Sequence, residues 1–472
     1  MQRQPLGLAV CGCLYAVLAL AACSVGTRYE KPQIATPAQW HGTAGNDAGG
    51  GNPPGAAWPD AGWWRHFGST RLDALIAAAE RSNDDLAAAV ARVEEADAQA
   101  HSAGAALLPA VDLDASATRE RAPVSGVGPE VYNLFNPALS ASYELDFWGK
   151  NRARRDSARA AATASRFDRQ TIALTVVSSV ASTYFQALEL RDRIEVARQN
   201  LQNGRRILSG LQFEQSAGTA TGLDVAQQET AVALLDAALP PLLEQFRQTV
   251  NALAVLVGET PESLDIDSGS LTGLTVPPVT AGLPAELLAR RPDVAEAEQQ
   301  LIAANADITV ARAALFPSIV LTASGGYESG ALAALVSPAN RVYALAGGLT
   351  QPIFQGGALR AQVDYTRARY RELLSTYHKT VLTAFSNVES ALVAARETLE
   401  QRRRQEDAVD KARRAYEFAQ AQLSAGTVNV LTVLNTENAL FSARDALVQV
   451  EYSHLLALVD LYTALGGGWQ QG

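Results

Sequence analysis

Two halves of this chain repeat one plan at an almost constant offset, and that duplication restricts the fold more than any single motif does. Ala105-Ala106-Leu107-Leu108-Pro109 recurs as Ala313-Ala314-Leu315-Phe316-Pro317, 208 residues on. Ser216-Ala217-Gly218-Thr219 recurs unchanged as Ser424-Ala425-Gly426-Thr427, again 208 residues later. Phe147-Trp148-Gly149 answers to Phe354-Gln355-Gly356 at an offset of 207. A unit this long exceeds any solenoid repeat, so the chain carries a duplicated domain.

Each half reads helix, strand, strand, helix. Residues 84–107 form an Ala-rich leading helix that stops before Pro109, because the residue preceding a proline resists helical geometry. Residues 152–213 contain no Pro, and Gly only at 204 and 210. Within them Val180, Ala187, Ile194, Leu201 and Leu208 fall seven apart. In the second half Val381, Phe385, Val388, Leu392, Ala395 and Leu399 are spaced 4, 3, 4, 3, 4. A 3.6-residue period drifts off such a seam within a few heptads, so both patterns indicate left-handed coiled coils. The long helices, 152–213 and 359–423, are 62 and 65 residues, each about 90 Å or more of helix. The leading helices, 84–107 and 292–315, have 24 residues each, and the return helices, 223–257 and 431–465, have 35 each. One leading and one return helix together match one long helix. The lengths predict a four-helix wall with the short helices stacked in line.

Between the helices, apolar Val111, Leu113, Ala115 and Ala117 alternate with Asp112, Asp114, Ser116 and Thr118. Leu139, Ala141, Tyr143, Leu145 and Phe147 alternate with Ser140, Ser142, Glu144 and Asp146, and Ile319, Leu321, Ala323 and Tyr327 with Val320, Thr322, Ser324 and Glu328. A fourth strand, near 342–351, alternates less cleanly. Each run has about the ~10 residues that cross a bilayer at a tilt. The period of two suits lipid on one face and water on the other, but a soluble sheet with one buried face shows it equally. Four strands cannot close a barrel, and open edges are not tolerated in lipid. If the strands span, several copies share one barrel; the strands alone do not choose between two, three or four.

The first 22 residues differ from the rest. Arg3 precedes a nearly unbroken apolar run from Leu6 to Ala22, which ends in Leu20-Ala21-Ala22-Cys23. A basic start, an apolar middle and small residues at the end describe a signal peptide. The last four residues resemble the bacterial lipobox, in which the cysteine is acylated and becomes the first mature residue. Cys11 and Cys13 leave with the signal, so Cys23 is the one mature cysteine, which excludes a disulfide framework and a cysteine metal site. Ser24 stands where an aspartate tends to retain such lipoproteins at the inner membrane, which favours the outer membrane. No run of ~18 apolar residues stands out after Cys23.

Composition excludes other classes. Hydrophobic residues make up 48% and charged residues 19% of the 472, which rules out wholesale disorder. The net charge of −10, with no basic block, argues against nucleic acid as a partner. His41, His66, His101, His378 and His454 are scattered without metal-ligand spacing, and no Walker loop, Gly-x-Ser-x-Gly elbow or Cys-x-x-Cys is present. No enzyme activity, metal or cofactor is expected. Residues 41–57 are rich in Gly, Pro and Ala and read as an irregular segment.

Taken together, the chain resembles the outer-membrane factor family, the TolC-like channels of tripartite export systems, and within it the lipoprotein branch that serves multidrug efflux. The carriers are Trp63-Trp64 with Phe67, Leu107-Leu108-Pro109, the two Ser-Ala-Gly-Thr segments, Leu287-Leu288-Ala289-Arg290-Arg291-Pro292-Asp293-Val294, Phe316-Pro317-Ser318-Ile319 and Gln351-Pro352-Ile353-Phe354-Gln355-Gly356-Gly357. The resemblance implies a mainly α fold with a membrane β-barrel. It further implies a homotrimer with a 12-stranded barrel and long coiled-coil helices reaching into the periplasm. The implied partners are a periplasmic adaptor protein, an inner-membrane pump, proton-driven, and outer-membrane lipid. The implied organisation is a signal peptide (1–22), a lipidated segment (23–68), a first repeat (69–260), a linker (261–283), a second repeat (284–465) and a tail (466–472).

By the same resemblance the hairpin tips at Ser216, Gly218, Thr219 and Ser424, Gly426, Thr427 meet the adaptor. Their chemistry also has a local explanation: glycine permits a left-handed helix end, and the threonine after it is expected to cap the next helix. The channel constriction maps onto Asp224, Thr432 and Asn435. The family's usual acid falls on Asn435, so a charged lock there is not expected. Three copies of Asp224 would make an acidic ring, although an aspartate in a first helical turn is also simply good for the helix. Arg290-Arg291-Pro292-Asp293 reads as structural, with Pro and Asp suited to a helix start. Two other readings remain on these residues: the outer-membrane channel of a type I protein secretion system, and a periplasmic coiled-coil lipoprotein without a pore.

Cys23→Ser is expected to abolish acylation. Intact mass of the mature protein checks it, and an unchanged mass refutes the lipid anchor.

Overall fold

The computed structural model describes residues 25–26, 28–41, 58–124, 128–266, 268–277 and 284–469. The signal segment and Cys23 lie outside them. The element order is α1 (Thr70–Ser82), α2 (Asp84–Ala105), β1 (Ala110–Val124), β2 (Gly128–Glu144), α3 (Lys150–Ser216), α4 (Gly222–Ala237), α5 (Leu239–Val257), α6 (Pro292–Ala313), β3 (Ser318–Tyr327), β4 (Arg341–Thr350), α7 (Ala358–Ser424) and α8 (Val430–Ala464), with short helical turns between some of them. The helix–strand–strand–helix plan therefore runs twice. The long helices, α3 and α7, have 67 residues each, about 100 Å of helix.

The return helices differ between the halves. A single return helix is expected over 223–257, but the chain forms α4 and α5, joined at Ala238. Pro240 and Pro241 remove two successive backbone donors, and Leu239 precedes a proline, so the helical ladder is interrupted. Ala238 keeps αR geometry (φ −76°, ψ −18°), so the break leaves the backbone locally helical. The corresponding stretch of α8 holds Val448 and Gln449 instead, and α8 runs unbroken for 35 residues.

The chain divides into two compact units. The first comprises 1–33, 92–166 and 296–378 and contains the sheet. All four strands pair antiparallel in the order β1-β2-β3-β4. The β2–β3 pairing joins the two repeats, with Ala141 opposite Ala323 and Tyr143 opposite Leu321. Among the described residues, β1 pairs only with β2 and β4 only with β3. Register puts Val111, Ala141, Ala323 and Leu345 in one row, and Leu113, Leu139, Gly325 and Tyr343 in the next on the same face. That apolar face is open: Leu113 is 72% exposed, Leu345 78% and Tyr343 85%. On the other face Ser140 donates to Asp114 at 2.8 Å. A soluble sheet buries its apolar face against a core; this one leaves it uncovered within the chain, as a lipid-facing sheet does.

The second unit comprises 34–91, 167–295 and 379–472 and holds the larger core. Trp63, Phe67, Leu72 and Ile76 meet Val180, Tyr184, Phe185 and Leu188 of α3, Leu253 and Val257 of α5, and Leu458 and Tyr462 of α8. Trp63 is fully buried and stacks on Tyr462, ring centroids 4.9 Å apart. The heptad positions Val180, Ala187, Ile194 and Leu201 are buried, and Leu208 is half-buried. On α7, Val381, Phe385, Val388 and Leu392 are buried, and Ala395 and Leu399 half-buried. One helix departs from the expectation that no long apolar run follows Cys23: α3 is long and apolar enough, by length and composition, to cross a membrane. The core residues Val176, Val177, Val180, Ala181, Tyr184, Phe185 and Leu188 explain its apolar character without a membrane.

Some polar groups of this unit serve packing. Arg291 forms two bonds to the Asp293 carboxylate, at 2.9 and 2.6 Å, and a third to the Ala464 carbonyl. Arg290 lies over the Trp58 ring, 4.8 Å from its centroid. The Arg-Arg-Pro-Asp segment thus ties the start of α6 to the end of α8. His454 is buried, its Nδ1 3.0 Å from the Thr398 hydroxyl, and burial lowers its pKa, so it stays neutral as a pin between α8 and α7.

Trp63→Ala removes the largest fully buried side chain of this core and is expected to cost about 3–5 kcal/mol. A lowered thermal midpoint of the purified protein checks it; an unchanged midpoint contradicts the assignment of this core.

Candidate functional site

The two hairpin tips are built by the same hydrogen bonds. At the end of α3, Ser216 Oγ donates to the Phe213 carbonyl (2.7 Å), and Thr219 returns both its N–H (2.9 Å) and its hydroxyl (3.0 Å) to the Glu214 carbonyl. At the end of α7, Ser424 Oγ donates to Ala421 (2.8 Å), and Thr427 returns its N–H and hydroxyl, both at 3.0 Å, to Gln422. Between serine and threonine sit Gly218 at φ 76° and Gly426 at φ 71°. An L side chain is strained there, so the glycines are required by backbone geometry.

This corrects one expectation. Thr219 and Thr427 do not cap the following helices; they close the preceding ones. A threonine hydroxyl just past a glycine turn reaches back to the orphan carbonyls of the last turn. The caps of the return helices come two residues later, from Thr221 and Asn429.

Those caps carry the difference between the halves. Thr221 Oγ1 accepts from the Asp224 N–H (3.2 Å), and Asp224 Oδ2 accepts from the Thr221 N–H (2.9 Å) and hydroxyl (2.6 Å). This is a reciprocal capping box. At the equivalent positions Asn429 Oδ1 accepts from the Thr432 N–H (3.2 Å) and hydroxyl (3.0 Å). The hydroxyl donor and the acceptor have exchanged places: Thr then Asp in one tip, Asn then Thr in the other. The backbone geometry is kept while a negative charge is lost. The bonds from the Thr221 side chain and backbone hold the Asp224 carboxyl below the usual aspartate range, so it carries its charge at neutral pH.

The structure brings the two tips together. Leu211 of α3 and Val225 of α4 form one buried cluster with Val430 and Leu434 of α8, with Ile207, Leu208 and Ala220 packed against it. Asp224 adjoins Val225, and Thr432 lies between Val430 and Leu434, so both polar caps border this cluster. Asn435, the next residue of α8, is exposed. Phe213, Leu223 and Leu431 are also exposed beside the tips. Leu223 and Leu431 stand 208 residues apart, a repeated position that reading for charge alone passes over.

The chain is similar to known proteins along nearly its whole length. The family model of outer membrane efflux proteins matches residues 75–259 and again 283–467. The pyoverdine export outer membrane protein OpmQ of Pseudomonas putida is 40% identical over 462 residues, covering 96% of each chain. That of Pseudomonas aeruginosa is 41% identical over 467 residues, again 96% of each. A solvent efflux pump outer membrane protein of Pseudomonas putida, SrpC, is 33% identical over 97% of each chain. Among solved structures, the outer-membrane channel OprN matches with a TM-score of 0.87 at 28% identity, covering 95% of this chain and 100% of its own. The open-state MtrE outer membrane channel of Neisseria gonorrhoeae matches at 0.84 and 28% identity, covering 95% and 99%.

The lowered Asp224 pKa makes the first tip acid-sensitive. A carboxyl depressed in the folded state stabilises it above the ordinary aspartate pKa of ~3.9, and that stability is lost as pH falls through the folded value. Amide exchange in the first turn of α4 is expected to lose protection, relative to Asp224→Asn, below about pH 4. The first turn of α8, capped by Asn429 and Thr432, is expected to show no such step. Equal acid steps in both tips would contradict the capping assignment.

Proposed function

This chain belongs to the outer membrane efflux protein family, and from that premise we propose that it is one subunit of a passive exit duct for small compounds, crossing the periplasm and the outer membrane. The observation that carries the proposal is the sheet. Its apolar face is open, and its outer strands β1 and β4 each have one partner. In lipid an unpaired strand edge costs several kcal/mol for each unsatisfied group, so the sheet is complete only when other copies pair with both edges. Three copies make a barrel of 12 strands, each strand long enough to span at the usual tilt.

The wider assembly follows from the same premise. The duct works with an inner-membrane pump, proton-driven, and a periplasmic adaptor that docks at the tips around Gly218 and Gly426. Cys23 carries the lipid that anchors the mature N-terminus to the outer membrane, with a linker (261–283) between the repeats at 69–260 and 284–465 and a short tail (466–472) after them. The relatives' names supply the cargo class: small organic molecules, from pyoverdine to solvents and antibiotics. Asp224 of three copies lines the constriction as an acidic ring, with Thr432 and Asn435 as its neutral counterparts in the second tip. The duct performs no chemistry of its own.

Purified protein added to a planar bilayer is expected to give stepwise, cation-preferring conductance. Asp224→Asn is expected to reduce the cation preference while leaving conduction intact. Absence of any conductance would support a spacer without a pore; unchanged selectivity in Asp224→Asn would remove the acidic ring and leave the duct.

A further inference from the structure

One acid on α8 is buried without a charged partner. Glu437 lies three residues beyond Leu434 of the tip cluster and is 7% exposed. The Tyr416 hydroxyl of α7 acts on its carboxyl as a donor, and among the described residues its Oε1 has no hydrogen-bond partner. Gln420 Nε2 donates to the same hydroxyl at 2.7 Å, which leaves the tyrosine proton for the glutamate. Arg206 of α3 and Arg444 of α8 act on the Tyr416 hydroxyl. Neither offsets the desolvation of the Glu437 carboxyl, which pushes its pKa from 4.5 up to about 7.

The duplication supplies an internal contrast. Glu229 stands 208 residues earlier, at the equivalent place on α4, and is exposed. The same residue at the same repeat position is therefore free in one half and enclosed in the other. Burying an ionised carboxylate with an orphan oxygen is costly, whereas the neutral acid is tolerated. The enclosed site is stable with a proton and unstable without one.

We propose that Glu437 is a proton-sensitive latch on the second tip: protonated, it lets α8 pack against α7; ionised, it loosens the first turns of α8. The latch stands on packing within one chain, and only its effect on conduction rests on the duct reading. A carboxyl raised in the folded state contributes stability below its unfolded value of 4.5, and that stability is lost as pH rises through about 7. Across that window the balance between packed and loosened arrangements shifts by up to about 300-fold, toward the loosened one at alkaline pH.

Amide exchange of residues 430–440, compared at equal pH between the full-length wild type and Glu437→Gln, tests this directly. The two are expected to match at pH 5, while at pH 8.5 the wild type exchanges at least tenfold faster; Glu229→Gln should follow the wild type. Equal exchange at pH 8.5 overturns the latch. If Glu437→Gln does not fold, Tyr416→Phe serves: it removes the bond that lowers the pKa, so the wild-type transition should move to higher pH, and an unmoved transition overturns the proposal. In planar bilayers wild-type conductance is expected to rise across the same window and that of Glu437→Gln to stay flat; parallel profiles overturn the latch as a gate. A protein that shows the exchange difference yet conducts at no pH supports the latch and counts against the duct.

Discussion

Hydrogen-bond closure of the sheet governs everything else in this molecule. Four antiparallel strands with an uncovered apolar face have no stable existence as a single copy, in water or in lipid. Water penalises the apolar face, and lipid penalises the unpaired edges. Lipid relieves the apolar face, and in the proposed assembly pairing β1 of one copy with β4 of the next would satisfy the edges. The duplication makes that solution geometrically natural. Within the chain β2 already pairs with β3 across the junction of the two repeats, so a β1–β4 contact between copies repeats a hairpin-to-hairpin contact that the chain makes with itself.

The helical parts show how duplication and divergence coexist. The tips are constrained by backbone geometry, and there the halves agree to within tenths of an ångström in Ser216 and Ser424, Thr219 and Thr427. One step further the constraint is only that something must cap the helix. Two chemistries satisfy it, one charged and one neutral, because a threonine hydroxyl bonds equally to a carboxylate or an amide oxygen. Electrostatic character is therefore free to differ between halves at no cost to the fold. A duplicated frame allows one tip to be tuned without disturbing the other.

Much of this was legible before any coordinates. Periodic positions such as Val180 and Val388 announce the buried seams, because heptad spacing is a geometric property of a helix and needs no partner to be read. Gly218 and Gly426 announce the tips, because a left-handed helix end selects glycine locally. The features that escaped depend on context. Pro240-Pro241 stood in plain view, but the helical pattern around them was strong enough to suggest continuity across the break. The apolar window of α3 was hidden by short polar interruptions that the buried core tolerates. Thr219 was assigned to the wrong helix because a hydroxyl between two helices reaches either, and only the turn geometry selects. Alternation in the strands could not separate lipid from a soluble core, since the two differ in what covers the apolar face, which a single sequence does not state.

Burial is the least legible of these, and Glu229 and Glu437 show why. Both follow an apolar, helix-starting segment at matching repeat positions, and nothing in either local sequence marks one as enclosed. The difference arises from what packs alongside. Tyr416, contributed by α7 and itself bonded to Gln420, acts on the buried Glu437, whereas Glu229 keeps its solvent face. Residue identity at a repeat position thus fixes the possible charge, while the neighbour fixes whether that charge is tolerated. In a duplicated wall, where each half packs against different partners, the same carboxylate becomes inert on one helix and a source of strain on the other. A strained, titratable group close behind a tip alters that tip's packing most, because the first turns of a helix have the fewest backbone bonds to lose.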